Sequence, residues 1–153
     1  MRITNDQEFK AALAALDNCS RRQATAYLIR QALDLTPDTR VRAGLDLAVR
    51  CDANEADLAV AATGVNSARV ATYTQCGHDA NWTCQASHFV ARAAQECVKP
   101  EISASGAWEA AMQARMARIC QAIAAGEGTS NREAEAQYRA LEAYLKSKEG
   151  NHD

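Results

Sequence analysis

The chain has 153 residues, a formal charge of −2 and 48% hydrophobic residues, enough for one core and too little for two ordinary domains. Charged residues make up 24%, as in ordinary globular chains, which excludes wholesale disorder. No long basic run is present, and the nearest approach to a phosphate-tracking surface, Ser20-Arg21-Arg22 with Arg30, is a short patch at a helix start, so no nucleic-acid partner is expected.

Aromatics are only 5%, whereas Ala is about a fifth of the chain, a balance that favours helix over sheet. The reading is an all-α fold, a compact bundle of about seven short helices whose antiparallel neighbours are joined by short loops. One helical domain over 1–146 and a frayed tail over 147–153 are expected.

Thr4-Asn5-Asp6-Gln7 has capping-box spacing, and Phe9, Leu13 and Leu16 recur at helical intervals to end a first helix near Asp17-Asn18. Ser20-Arg21-Arg22-Gln23 repeats the cap before Ala24, Tyr27, Leu28, Ala32 and Leu35. Thr36-Pro37 pairs a cap with a proline that loses no intrahelical bond, and Val41, Leu45 and Ala48 carry a third helix to Cys51. Asp52-Ala53-Asn54-Glu55 starts a fourth, reaching about Gln75, and Cys76-Gly77-His78-Asp79 breaks it. The fifth runs from about Asp79, with Trp82, Ala86, Phe89, Val90, Ala93 and Cys97 as one buried stripe, and stops before Lys99-Pro100. The sixth starts at Ser103 to Gly106 and presents Trp108, Met112, Met116, Ile119 and Ile123 to the core, until Gly126-Glu127-Gly128 ends it. Ser130-Asn131-Arg132-Glu133 opens the seventh, with Ala134, Tyr138, Leu141 and Leu145 as its seam. Its many charges, including Glu142 four residues before Lys146, place that helix outside.

The six cysteines, Cys19, Cys51, Cys76, Cys84, Cys97 and Cys120, are spread along helical patterns instead of crowding a short scaffold. They read as free thiols acting as small apolar residues. With no basic-then-apolar leader at Met1 and no run of about 18 apolar residues, the chain reads as soluble and cytoplasmic, with no membrane partner.

The unusual stretch is Ala59 to Val90. Its only Asp, Glu, Lys or Arg residues are Arg69 and Asp79, where average usage predicts about eight. Its polar residues are uncharged, among them Thr63, Asn66, Ser67, Thr72, Thr74, Gln75 and Gln85. Either this hairpin is the central pair of the bundle, or one flank is covered by another protein chain or a second copy, since interface cores are depleted in charge. Asn66, Arg69, Gln75, His78 and Gln85 mark that flank as a candidate interface. The same hairpin holds the one group of metal-ligand residue types, Cys76, His78, Cys84 and His88, with Cys84 and His88 one turn apart on one helix face. A metal- or thiol-dependent protein that uses these four residues, with zinc as the metal, is the rival reading. Their spacing departs from zinc-finger patterns, and a bundle of this length needs no structural metal or other cofactor.

The sequence favours a non-enzyme without deciding the point. Cys84, His88 and Asp79 carry no catalytic signature around them, and no phosphate loop, G-x-S-x-G elbow or HExxH is present. Arg40-Val41-Arg42-Ala43 opening one helix, Asp52-Ala53-Asn54-Glu55 starting the next, and Cys76-Gly77-His78 followed by Thr83, His88, Ala91, Ala93 and Ala94 form a further pattern. Over Arg40 to Ala94, about a third of the chain, it resembles Ala-rich helical immunity proteins of bacterial toxin systems. The chain departs from them at Val49-Arg50-Cys51, where that family carries an aromatic and a glycine. The resemblance implies a non-enzymatic protein that works by binding, and neutralising, another protein.

Overall fold

In the computed structural model, which describes residues 2–76 and 81–150, seven α-helices follow one another with no strand among the described residues. They are α1 (Asp6–Ala14), α2 (Asn18–Arg30), α3 (Thr39–Ala48), α4 (Glu55–Cys76), α5 (Trp82–Cys97), α6 (Ala104–Ala124) and α7 (Glu133–Gly150), with a 3-10 turn at Leu33–Leu35. The all-α reading holds, although α4 and α6, at 22 and 21 residues, are not short.

Every helix start is capped by a short polar side chain. The side-chain oxygens of Asn5, Asp17, Asp38, Asn54, Asn81, Ser103 and Asn131 accept the backbone N–H of Glu8, Ser20, Arg40, Asp57, Cys84, Gly106 and Glu133. Such a cap contributes about 1 kcal/mol. Of the hydroxyl residues read as caps, only Ser103 serves as one, because an Asn or Asp stands close by at each other start and satisfies the same orphan donors. Gly126 ends α6 at φ 76°, with Gly126 N–H donating to Ile123 O and Glu127 N–H to Ala122 O, the paired closure that a left-handed residue permits.

The centre of the molecule is the α5–α6 contact, the most extensive in the fold. Ala110, Ala114, Ala117 and Cys120 of α6 meet Ala86, Val90, Ala93, Ala94 and Cys97 of α5, all buried. The neighbouring face of α6, Ala107 and Ala111, joins Ile3, Phe9, Leu13, Tyr138 and Leu141 in a second cluster with α1 and α7. The large residues expected to form the α6 stripe are instead its shoulders: Trp108, Met112, Ile119 and Ile123 are half-buried, and Met116 is 41% exposed. Helix axes that approach on Ala leave no room for Trp or Met on the line between them.

Polar anchors complete the assembly. Arg21 donates to Leu13 O, Ala14 O and Leu16 O at the end of α1 and to Ile102 O, while buried Arg22 donates to Ala48 O and Arg50 O at the end of α3. The basic patch seen in the sequence is thereby consumed in capping helix C-termini, where a cation meets the negative end of the helix dipole. The charges of α7 are not all solvated either. Glu133 is buried on Arg118, which also pairs with Asp34, and Glu142 pairs with Arg139 and accepts the Ile3 N–H, not Lys146. The tail expected from residue 147 stays helical to Gly150, and the Lys148 ammonium donates to the Ser20 hydroxyl.

The free-thiol expectation is corrected by two disulfides, Cys19–Cys51 and Cys76–Cys84, with Cα atoms 5.4 and 5.9 Å apart. Only Cys97 and Cys120 remain free, both buried, and burial pushes both thiols up from their ordinary range. Spacing along the chain did not show the pairing, because the partners meet through tertiary contacts: α2 clasps the end of α3, and α4 folds back on α5.

At the α3–α4 crossing, a Cβ added to Gly44 would stand 2.6 Å from Val65 Cγ2 and 3.5 Å from Val98 Cγ1. Val65 is fully buried and cannot yield cheaply. Gly44→Ala should therefore lower unfolding free energy by about 1–2 kcal/mol in a urea titration, overriding the helix-propensity gain of about 1 kcal/mol. An unchanged or stabilised variant would show that the crossing is loose.

Candidate functional site

α4 has two opposite faces. Leu58, Val65, Ala68 and Thr72 are buried against the bundle, as their spacing of three to four residues dictates. On the far side Ala56, Ala59, Val60, Thr63, Ser67, Val70 and Thr74 are exposed, with Tyr73 beside them. Val60 is 75% exposed, Tyr73 68% and Val70 46%. This face carries no formal charge over 19 residues of helix, a length of about 27 Å.

The expectation that α4 and α5 form the central pair is thus half right. α5 is central, its Ala86, Val90, Ala93 and Ala94 enclosed, whereas α4 lies at the outside and its lack of charge is not explained by the protein's own core. The Thr63 and Ser67 hydroxyls donate to carbonyls four residues back, Ala59 O and Thr63 O, so they need nothing from solvent and present methyl and methylene groups outward.

The residues singled out in the sequence fall at the borders of this face. Asn66 Oδ1 accepts from the Arg69 guanidinium at 3.1 Å and from Gln95 Nε2 at 3.1 Å, which ties both to the α4–α5 seam. Gln75 is exposed in the last turn of α4, and Gln85 is half-buried on α5. His78, like Asp79, lies outside the described residues. Val60 and Val70 were not singled out in the sequence, and Tyr73 was read there as part of the apolar pattern of α4, whereas it stands exposed at the border of this face with its ring 6.1 Å from that of His88.

At the open end of the hairpin, Cys76 in the last turn of α4 is bonded to Cys84 in the first turn of α5. In this state neither sulfur is a thiolate, so the pair offers a metal no ligand, and among the described residues no three His, Cys, Asp or Glu side chains converge on one point. Cys84 Sγ also lies 3.6 Å from Thr72 O. His88, one turn on, is turned toward α4: its Nδ1 is 2.9 Å from Thr72 Oγ1 and 3.2 Å from Arg69 O. A carbonyl only accepts, so the assignment that satisfies these groups puts the proton on Nδ1. Burial lowers the His88 pKa, with the charges of Arg92 and Arg69 adding to it against the Arg69 carbonyl bond.

One cavity borders these helices, and a larger groove lies away from them. The first, of about 360 Å³, lies between the 35–40 segment and the hairpin end, lined by Thr72, Gln75, Asn81, Cys84, Ser87 and the Asp38–Arg40 pair. The other, about 700 Å³, is an open groove between α2 and α7 over Tyr27 and Tyr144, whose rings lie 5.8 Å apart. Its lining pairs no nucleophile with a base, and Arg30 and Lys148 at its edges are engaged with Asp46 and Ser20.

A lowered histidine pKa stabilises the fold only while the ring is neutral. Stability contributed by His88 is present above the unfolded pKa of about 6.5 and is lost as pH falls through the folded value. Denaturant titrations at pH 7.5 and 5.5 should show the parent losing more stability on acidification than His88→Asn, which keeps a donor near the Nδ1 position. Glu133, whose pKa burial raises, acts in the opposite direction and is common to both proteins. Equal losses would show that the ring titrates as if in solvent.

Comparison with family models, with curated proteins and with solved structures gives no match.

Proposed function

We propose that the chain is a non-enzymatic protein-binding module and that its contact surface is the uncharged outer face of α4. One observation carries this reading: Val60, Val70 and Tyr73 stand exposed on a 22-residue helix whose solvent side lacks the charges found on the other outer surfaces. An outer face without charge can be desolvated at low cost, whereas a solvated helix gains from Lys and Glu as α7 does. The partner is another protein chain or a second copy. The resemblance of residues 40–94 to immunity proteins extends the reading to a toxin-neutralising role, in which the partner is a toxin.

No helix among the described residues is long and apolar enough to cross a membrane. For the compartment, two disulfides weigh against the cytoplasmic expectation, since such bonds persist where the surroundings are oxidising.

The test uses Ser67→Glu and Thr74→Glu, exposed positions where no buried apolar side chain is lost. A photo-crosslinking residue at Thr63 should capture a discrete protein adduct in the producing cells, while the same residue at Glu149 on α7 should not. Each Glu variant should reduce the adduct at least about tenfold, a change of about 1.4 kcal/mol, with a melting temperature close to the parent's. Adducts of equal yield from both helices, or adducts indifferent to the added charge, would defeat the proposal.

A further inference from the structure

Among the described residues the two disulfides lie in opposite electrostatic surroundings. Both place a cysteine in the first turn of a helix, Cys19 in α2 and Cys84 in α5, where backbone N–H groups favour a thiolate. The cap beside Cys84 is the neutral amide of Asn81, which accepts the Cys84 N–H at 3.1 Å. The cap beside Cys19 is the carboxylate of Asp17, held below its ordinary range by the Ser20 N–H and hydroxyl. The cavities repeat the contrast. Cys84 lines the 360 Å³ space, whose charged lining residues, Asp38 and Arg40, are joined by Arg40 Nη2–Asp38 Oδ2 at 2.7 Å and Nε–Oδ1 at 3.0 Å. Cys19 and Cys51 line one of about 290 Å³ with Glu55 and Glu101, and its cation, Arg22, is committed to Ala48 O and Arg50 O.

The mechanical loads differ as well. Cys19–Cys51 closes a loop of sequence separation 32 at the point where Arg22 and Gln23 clasp the last carbonyls of α3. Cys76–Cys84 closes a separation of 8, and beyond Thr72 no residue of α4 is buried. Opening it frees one exposed turn and leaves both core clusters untouched.

We propose that Cys76–Cys84 is a thiol–disulfide exchange site for low-molecular-mass thiols, and that Cys19–Cys51 is a fixed structural bond. A thiolate entering the cavity attacks Cys84 Sγ, forming a mixed disulfide and expelling Cys76 as a thiolate that takes a proton from water. A second thiol attacks the mixed disulfide and expels Cys84, whose thiolate is stabilised by the α5 N-terminus until it is protonated. In sum, one protein disulfide and two thiols give two cysteine thiols and one small-molecule disulfide. At the other bond the incoming anion meets Glu55 and Glu101, and the departing Cys19 thiolate meets Asp17. This chemistry requires no partner on the α4 face and stands or falls apart from that reading.

Glutathione is the probe, added to the native protein at pH 7.5. Samples are quenched by alkylation at timed intervals and each cysteine is quantified by peptide mass spectrometry. Cys76 and Cys84 should become labelled at least about tenfold faster than Cys19 and Cys51, with the glutathione adduct trapped on Cys84. Asn81→Asp keeps a good cap but adds a carboxylate, and it should slow opening of this bond severalfold at an unchanged melting temperature. Asp17→Asn should speed opening of the other. Equal rates for the two bonds, or faster opening of Cys19–Cys51, would overturn the proposal, and indifference to Asn81→Asp would overturn its electrostatic basis.

Discussion

Everything else in this fold is arranged around how closely α5 and α6 approach. Ala110, Ala114 and Ala117 against Ala86, Ala93 and Ala94 bury little area each, at about 25 cal/mol per Å² of apolar surface. Their stabilising effect comes from the density that short side chains allow, with many dispersion contacts between the two backbones. The approach also fixes what the flanking elements must supply. Large residues cannot sit on the axis line, so Ile29, Leu33 and Leu45 join the first cluster from α2, α3 and the turn between them, and the buried aromatics gather in a second cluster, where Phe9 packs against Trp108 and Tyr138 at centroid distances of 6.2 and 5.6 Å. Two cores of different grain share one helix: a fine-grained Ala core toward α3–α5 and a coarse aromatic and aliphatic core toward the chain ends.

The short helices around this centre leave many helix ends near the core, and each end carries carbonyls without intrahelical partners. Arginine resolves this at two places. Arg21 spans the end of α1, and Arg22, 4% exposed, has no carboxylate partner among the described residues but is satisfied by Ala48 O and Arg50 O while Gln23 takes Val49 O. A cation buried on the negative end of a helix dipole is less costly than one buried alone, because the desolvated charge keeps hydrogen bonds of favourable sign. The cluster Cys19, Arg22 and Gln23 on one side of α2 therefore holds 48–51 both covalently and by hydrogen bonds. In the second core Arg115 works differently, forked onto the Asp6 carboxylate at 2.8 and 3.2 Å, bonded to Gln137 and lying over Trp108.

The number of helices and their order were legible because Ala-rich segments alternate with Asn, Asp, Ser, Pro and Gly signals at bundle-like intervals. Which face of each helix turns inward was less legible. On α6 hydropathy favoured Trp108, Met112 and Met116, and the structure buries Ala114 and Ala117 instead, since a sequence scale values side-chain size and the fold needed side-chain smallness. On α7 a run of charges suggested uniform solvation, yet Glu133 is inside, because its partner Arg118 comes from another helix. The disulfides were illegible for the same reason. Cys19 and Cys51 are adjacent only once α2 and α3 have docked, and Cys76 and Cys84 only once the hairpin has closed.

The charge-poor stretch was visible from the first reading, but its meaning depended on a distinction composition cannot make. A segment without charges can be inside its own chain or exposed, and the two halves of this stretch fall on opposite sides of that division. The part of α5 up to Val90 carries no charge, and its Ala86 and Val90 are enclosed in the core, while Arg92 and Glu96 follow further along the helix. α4 needs charge by the ordinary logic of a solvated helix, as α7 shows, and lacks it from Ala56 to Thr74 on its outer face alone, while Glu55 and Asp57 occupy its first turn, where acidic residues suit the helix dipole. The composition of α4 thus obeys helix electrostatics where it starts and abandons surface electrostatics where it is most exposed. Packing among the described residues asks for the first and gives no reason for the second, and it is this mismatch that the proposed protein contact would account for.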